Sequence, residues 1–428
     1  MKLCVIGAGA AGICAAKNGL EFGCEVTVFE QTENVGGTWV YTDDVAKDKN
    51  GIDVHSSMYK GLHTNLPKEI MGYPDFPIPP QEKSYISSED MLNFLELYAD
   101  HFKVRQLIKF EYHVVRVRPL IDDKWEVIVQ DMKVKKYETH VFDAVAICNG
   151  HYNTPICPKY QGFDIYQGKQ LHSHAYRSAA AFRDETVLVI GAGPSGIDLA
   201  HEISKVALRV TLSHHLKEPP KTKFLSNVDQ RTDVADFTSD GVKFIDGSSQ
   251  SYSIIFYCTG YKYSFPFLSV DCGINCENNY IHPLFKHCIN INRPSMAFIG
   301  LPFYVCATHM FDLQSRFFLT FLTAKRNLPS KQEMLDNHKV EMDERWNRGF
   351  RKHQAHLMGE DQQVYYKSVA EAAGIEPLKP VISKLHKFSS LRFLDDLVNF
   401  RKEVFRVVDD ETFVQFENIK SGDRVRHN

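Results

Sequence analysis

The stretch Leu3-Cys-Val-Ile-Gly7-Ala-Gly-Ala-Ala-Gly12 decides the fold, and it has a near copy in Val187-Leu-Val-Ile-Gly191-Ala-Gly-Pro-Ser-Gly196. In each, four apolar residues run directly into three spaced glycines, and an amphipathic stretch follows. A short strand feeding a glycine-rich turn and a helix is the opening of a βαβ unit in a parallel, doubly wound sheet. The first copy continues into a second strand at 26–29 that ends at Glu30; the second continues through a helix to about Lys205 and a strand from Val210 to near Ser213. The predicted class is therefore α/β, with two Rossmann-like dinucleotide-binding domains.

The chemistry of each residue follows from the turn. Gly7 permits the tight bend, Gly9 lets backbone approach a pyrophosphate, and Gly12 allows the helix to pack close. The helix start then offers amides and the positive end of a dipole to phosphates. Glu30, at the strand tip, is placed to accept both hydroxyls of a ribose. The run Gly36-Gly37-Thr38-Trp39 suits a second close approach, to a phosphate or a flavin edge. Counting from Gly7 to Glu30 and by the same step from Gly191 reaches His214, so the second unit lacks the acid that would grip a free 2′-hydroxyl and repel a 2′-phosphate. Ser213, His214, His215, Lys217, Lys221 and Lys223 supply donors instead. That pattern argues for NADP(H) over NAD(H). Two units mean two dinucleotides, and FAD on the first with NADPH on the second is the economical pairing.

The remainder narrows the class. The chain has 428 residues, 43% hydrophobic and 24% charged, enough for two domains with full cores. A net charge of -3 gives no basic field to attract nucleic acid or an anionic membrane. Ten scattered cysteines without a C-x-x-C pair fit reduced thiols in a cytoplasmic enzyme, and the one close pair, Cys272 and Cys276, makes a poor zinc site. No run approaches the roughly 18–20 apolar residues of a membrane span, and a strand beginning at Leu3 leaves no room for a signal peptide. Further elements expected are a Pro-rich loop at 73–80, a helix near 87–102, alternating strands near 112–117 and 125–130, and buried strands at 141–148 and 253–258. From Phe311 onward the pattern reads as helices.

Between the glycine units stands Tyr166-x-Gly168-x-x-x-His172-x-x-x-Tyr176. It resembles the F-x-G-x-x-x-H-x-x-x-[FY] fingerprint of flavin-dependent N-hydroxylating and flavin-containing monooxygenases, with Tyr166 where Phe is usual. GAGAAG, Phe29-Glu30, GGTW, Thr64-Asn65, Tyr73-Pro-Asp-Phe-Pro77, Asn149-Gly150-His151, GAGPSG, Cys258-Thr-Gly-Tyr261 and Gln362-Gln-Val-Tyr365 match family landmarks in order. The chain looks most like the soluble insect branch, which includes pyrrolizidine-alkaloid (senecionine) N-oxygenases, and it lacks the hydrophobic C-terminal anchor of mammalian members.

The resemblance implies roles residue by residue. FAD would lie on Gly7, Ala8, Gly9, Ala10, Ala11 and Gly12, with Glu30 and Gln31 at its adenosine ribose. Gly37, Thr38 and Trp39 would flank the flavin, and Thr64, Asn65 and Leu66 would stand beside the isoalloxazine, Asn65 as the catalytic residue. NADP would lie on Gly191, Gly193, Ser195, Gly196 and Asp198, with Ser213 and His214 toward its 2′-phosphate. His172 and Tyr176 would shape the linker between domains. The implied organisation is an FAD domain over 1–154 and 291–428, with an NADP domain inserted at 155–290. The implied reaction passes hydride from NADPH to FAD and adds O₂ to form a C4a-hydroperoxide, which a tertiary amine or sulfide attacks. The expected partners are that small molecule and O₂, with no nucleic acid, no membrane anchor and no metal; a homo-oligomer is a compatible assembly. A Baeyer–Villiger or N-hydroxylating enzyme shares both glycine motifs and is the alternative. A disulfide reductase would need a cysteine pair that is missing.

Overall fold

The computed structural model describes residues 1–416 and 425–427. Strand β1 (Lys2–Ile6) sits inside a seven-stranded sheet, parallel to both β2 (Glu25–Glu30) and β3 (Ala144–Ile147). Its side chains alternate between two cores. Leu3 and Val5 join the core beneath helix α1 (Ala10–Glu21), while Cys4 and Ile6 join the core around Trp125 and Phe298 on the other face. A strand buried on both faces must be apolar throughout, which is why Leu3-Cys-Val-Ile shows no polar alternation.

The second unit is built on the same plan. Strand β4 (Thr186–Ile190) lies between β5 (Arg209–Ser213) and β6 (Ile254–Tyr257), all parallel, in a five-stranded sheet. Val187 and Val189 face the core under helix α2 (Pro194–Ser204), and Leu188 and Ile190 face Phe237 and Phe244 on the opposite side. A long helix, α3 (Ala307–Leu322), then packs on α1, where Asn18 Nδ2 donates to Asp312 Oδ1 at 3.1 Å.

Three expectations need correction. The strand expected at 141–148 is two strands. Lys136–Phe142 ends an antiparallel sheet, and β3 begins after Asp143, whose carboxylate accepts the Lys2 amide at 2.7 Å. One polar residue between two apolar runs was the only local sign of that break. The C-terminal part is not helical throughout. After helices at Lys331–Asn347, Gln362–Ala373 and Pro380–Asp395 come paired antiparallel strands, Val404–Val407 and Phe413–Phe416. Asp409 closes their turn, accepting the amides of Glu411 and Thr412 at 2.8 and 2.7 Å. The return to the first sheet also precedes residue 290, because Leu284–Phe285 and Ile289–Asn290 already pair there.

All ten cysteines are unpaired; Cys157 and Cys276 are exposed and the other eight buried. Among the described residues no helix is long and apolar enough to cross a membrane, and no group of three or more His, Cys, Asp or Glu is placed to hold a metal.

Candidate functional site

The first glycine loop is closed by its own backbone. Gly7 has φ +101°, and a Cβ there would come 2.6 Å from the Cys148 carbonyl oxygen; one on Gly12 would overlap the Gly7 carbonyl. Gly9 precedes α1 in extended backbone, and its Cβ would meet the Gly37 Cα at 3.5 Å, so the 36–37 segment forms a wall in front of it. The Gly36 amide fastens that wall to the Ala8 carbonyl at 3.0 Å. No side chain caps α1 and no acid lies in its first turn, which leaves the amides around Ala10 and Ala11 for an anion.

Glu30 is 6% exposed and braces the loop. Its Oε2 accepts the Ala8 amide at 2.8 Å, and its Oε1 accepts the Thr32 amide and hydroxyl, both at 2.8 Å. A carboxylate so held keeps about one further lone-pair site, on Oε2, for a ribose hydroxyl. Gln31 follows half-buried. Thr38 anchors the next segment, its carbonyl accepting the Ser56 hydroxyl at 2.8 Å, and Trp39 packs against the first core.

Thr64 is buried and paired with Ile86, amide to carbonyl at 2.9 Å and Ile86 amide to hydroxyl at 3.2 Å. Asn65 is exposed, and its side chain has no hydrogen-bond partner among the described residues. Nor does it cap the short helix Lys68–Ile70, whose preceding residue is Pro67. Leu66 packs half-buried against the second core.

The second loop repeats the first. Gly191 has φ +104°, with a Cβ that would lie 2.6 Å from the Cys258 carbonyl oxygen, and a Cβ on Gly196 would overlap the Gly191 carbonyl. Gly193 faces open space and Ser195 is exposed at the start of α2. Pro194 opens that helix, where its missing N–H costs nothing.

Three residues expected at NADP are engaged elsewhere. Asp198 is buried a turn further into α2, where Oδ2 accepts the Tyr59 hydroxyl at 2.5 Å and Oδ1 accepts Arg401 Nη1 at 3.0 Å. The Ser213 hydroxyl donates to the Thr232 carbonyl at 2.7 Å. His214 Nδ1 accepts the Leu216 amide at 3.2 Å, which leaves the proton on Nε2 to donate to Gln230 Oε1 at 2.9 Å. The exposed cations nearby are Lys217, Lys221 and Lys223.

The fingerprint links the units. Tyr166 donates its hydroxyl to the Tyr252 carbonyl at 2.8 Å, and a Cβ on Gly168 would overlap that tyrosine. His172 Nδ1 accepts the His174 amide at 3.1 Å, so Nε2 carries the proton toward the Gly260 carbonyl, also at 3.1 Å. Burial lowers the His172 pKa to about 4. Tyr176 packs edge-on to Tyr59, with ring centroids 5.2 Å apart.

Where the strand ends of the two sheets approach each other, Tyr152 follows β3, Tyr261 follows β6 and Tyr304 follows the strand Met296–Phe298. The Tyr152 and Tyr261 rings lie 5.6 Å apart, and Tyr152 and Tyr304 are about half exposed. The crevice beyond the carboxyl ends of parallel strands is where α/β sheets bind ligands. Burial lowers the pKa of His151 and of His55 to about 4, so both imidazoles are neutral at neutral pH. Sequence reasoning missed Tyr59, Tyr152, Tyr304 and Arg401. The only signal for any of them was Tyr152 following the Asn149-Gly150-His151 landmark.

The model of the flavin-binding monooxygenase-like family matches residues 1–218 and 217–387. Senecionine N-oxygenase of Tyria jacobaeae is 32% identical over 419 residues, 96% of this chain and 91% of that protein. Flavin-containing monooxygenase FMO GS-OX5 of Arabidopsis thaliana is 37% identical over 396 residues, 88% of this chain and 86% of that one. Among solved structures, the S-allyl-L-cysteine S-oxygenase of Allium sativum superposes with a TM-score of 0.89 at 31% identity, covering 94% of this chain and 95% of its own.

Proposed function

This chain belongs to the flavin-binding monooxygenase-like family, and on that premise we propose that it is an NADPH- and O₂-dependent oxygenase of the C4a-hydroperoxyflavin type, acting on soft nucleophiles. It is a flavin-dependent monooxygenase that uses FAD and NADP(H). The preferred substrates are tertiary amines such as pyrrolizidine alkaloids, in alkaloid detoxification, a choice supported by the senecionine N-oxygenase likeness. The S-oxygenase likeness supports organic sulfides as a second set.

The observation that carries the proposal is the pair of uncapped glycine loops, on two sheets whose strand ends share a crevice lined by Tyr152, Tyr261 and Tyr304. Residues on both loops fit the dinucleotides. Gly7, Gly9, Gly12 and the first amides of α1 would cradle the FAD pyrophosphate, and Glu30 its ribose. Gly191, Gly193, Ser195 and Gly196 would cradle that of NADP. Ser213 and His214 would shape the 2′-phosphate site through their backbone, with the exposed lysines as its cations. We assign FAD binding to the first sheet (1–154 and the chain from about residue 284) and NADP binding to the second.

FAD, when bound and reduced by NADPH, supplies the oxygen-transfer chemistry. The chain's own residues govern the surroundings. His55, His151 and His172 stay neutral at neutral pH because burial holds them at about 4, so none of these three offers an imidazolium to protonate an amine's lone pair or the transferable oxygen. Asn65 offers an amide N–H with no partner among the described residues, a neutral donor that can hold an oxygen without releasing a proton to it. The tyrosine faces accept alkyl groups on nitrogen or sulfur.

The test is Asn65→Ala. The variant should keep FAD and be reduced by NADPH, yet lose about 10²–10³ in product formation and release hydrogen peroxide instead. One N-oxide formed per NADPH in this variant would remove Asn65 from the mechanism. In the wild type, ketone oxygenation with no response to amines or sulfides would replace the proposal with a Baeyer–Villiger activity.

A further inference from the structure

We propose that Arg401 is a positioning residue whose guanidinium ties the NADP-side helix α2 to the flavin-side segment carrying Asn65, fixing the separation between them. The inference rests on the functional assignment above for what each side presents, and on contacts within the chain for the tie itself.

Arg401 lies in the short turn Phe400–Lys402, where its guanidinium stacks 4.8 Å over the Phe400 ring, and its hydrogen-bond partners are all far away in sequence. Its Nη1 donates to Asp198 Oδ1 at 3.0 Å, its Nε to the Thr64 carbonyl at 3.2 Å, and its Nη2 to the His63 carbonyl at 3.4 Å. The two carbonyls belong to the residues immediately before Asn65. With its side chain unpartnered among the described residues and its preceding peptides held by Arg401, Asn65 takes its direction from that guanidinium. On the other side, Asp198 lies within the second turn of α2, just past the amides that face the NADP loop. Its remaining oxygen is held by Tyr59, whose ring rests against Tyr176 of the fingerprint. One planar cation thus meets three acceptors on two units, a task for which its fixed fork suits Arg and a single ammonium does not suit Lys.

A purely structural ion pair is the competing account. The pair is partly buried, with 24% of the Arg401 and 11% of the Asp198 side chain exposed. Such pairs are poor evidence of stabilisation, although removing one partner destabilises. Melting temperature therefore cannot separate the two accounts, and coenzyme binding and coupling can.

The experiment uses FAD-loaded full-length Arg401→Ala, Arg401→Lys and Tyr59→Phe. For each, NADP⁺ affinity is measured by titration calorimetry without turnover, and hydrogen peroxide released per NADPH is measured with a tertiary amine present. Removing charge-assisted hydrogen bonds of this kind should weaken NADP⁺ about 10- to 100-fold in Arg401→Ala and turn most of the NADPH consumed into hydrogen peroxide. Arg401→Lys should recover part of the affinity and little of the coupling. Tyr59→Phe should move both readouts in the same direction by less. If Arg401→Ala does not fold, the other two variants decide. Wild-type NADP⁺ affinity and an unchanged peroxide fraction in the folded variants, even with a lower melting temperature, would overturn the positioning role. A wild type that binds NADP⁺ but oxygenates no amine or sulfide would instead overturn the functional assignment, leaving the affinity effect of Arg401 to be read on its own.

Discussion

Gly7 and Gly191 adopt φ values of +101° and +104°, and a Cβ on either would come 2.6 Å from the carbonyl oxygen of a cysteine, Cys148 or Cys258, that ends the neighbouring strand. The backbones of the two loops are near duplicates, yet their surroundings are not. In front of Gly9 stands the Gly37 Cα, and behind it the Glu30 carboxylate ties Ala8 to Thr32. A Cβ on Gly193 would meet none of the described residues within 4 Å, and His214, in the place of Glu30, turns its imidazole to Gln230. On the proposed assignment, the contrast would suit a cofactor enclosed by chain at the first loop and a coenzyme that enters and leaves by an open side at the second.

The strongest way to break the comparison is to spoil each loop at its matched position. A Cβ cannot be fitted at Gly12 or Gly196 without moving backbone. Gly12→Ala should purify without flavin absorbance, whereas Gly196→Ala should remain yellow but be reduced by NADPH about 10²-fold more slowly. Loss of flavin from both variants, or from neither, would contradict the separate assignments. A smaller effect is expected from Glu30→Gln, which puts an N–H where the Ala8 or Thr32 donors now point. Losing hydrogen bonds to a charged group, worth about 1.5–3 kcal/mol, should weaken FAD by roughly 10- to 100-fold, visible as flavin lost on dialysis.

His214→Glu sharpens the comparison by giving the second loop the acid of the first. The ratio of kcat/KM for NADPH over NADH should fall about tenfold, the equivalent of 1.4 kcal/mol, and an unchanged ratio would mean the 2′-phosphate is read elsewhere. The smallest effect is expected from Gly193→Ala, because its φ of -73° suits any residue and the site is open. Thermal unfolding should register no more than about 1 kcal/mol for the change at this helix start.

Both βα units were legible because their signals are local: apolar runs buried on two faces, and glycines demanded within a few residues of one another. The break at Asp143 and the hairpin around Asp409 were not, since one depends on a single residue and the other is a short alternation after a long helical stretch. In the candidate site, Gly7, Gly12, Gly191 and Gly196 take the tightly packed backbone positions that their spacing implies. The polar side chains were harder. Asp198 sits in a glycine-rich motif and reads as part of it, but its partners, Tyr59 and Arg401, lie 139 and 203 residues away. Ser213 and His214 look like donors in sequence, and only the folded loop shows them bonded to Thr232 and Gln230.

The placement of the cysteines bears on durability. A monooxygenase that spills hydrogen peroxide exposes itself to oxidant, and thiols react with it as thiolates. Eight of the ten are buried, and burial pushes thiols such as Cys4, Cys148, Cys258 and Cys288 above their ordinary range, away from the reactive form. Cys148 and Cys258 stand directly behind the two glycine loops and are among those shielded. The exposed pair, Cys157 and Cys276, flanks the segment after β6, where the Ile156 amide donates to the Gly260 carbonyl at 2.9 Å and the Cys276 thiol to the Tyr263 carbonyl at 3.7 Å, so oxidative wear should begin at that segment and spare the two buried cysteines behind the loops.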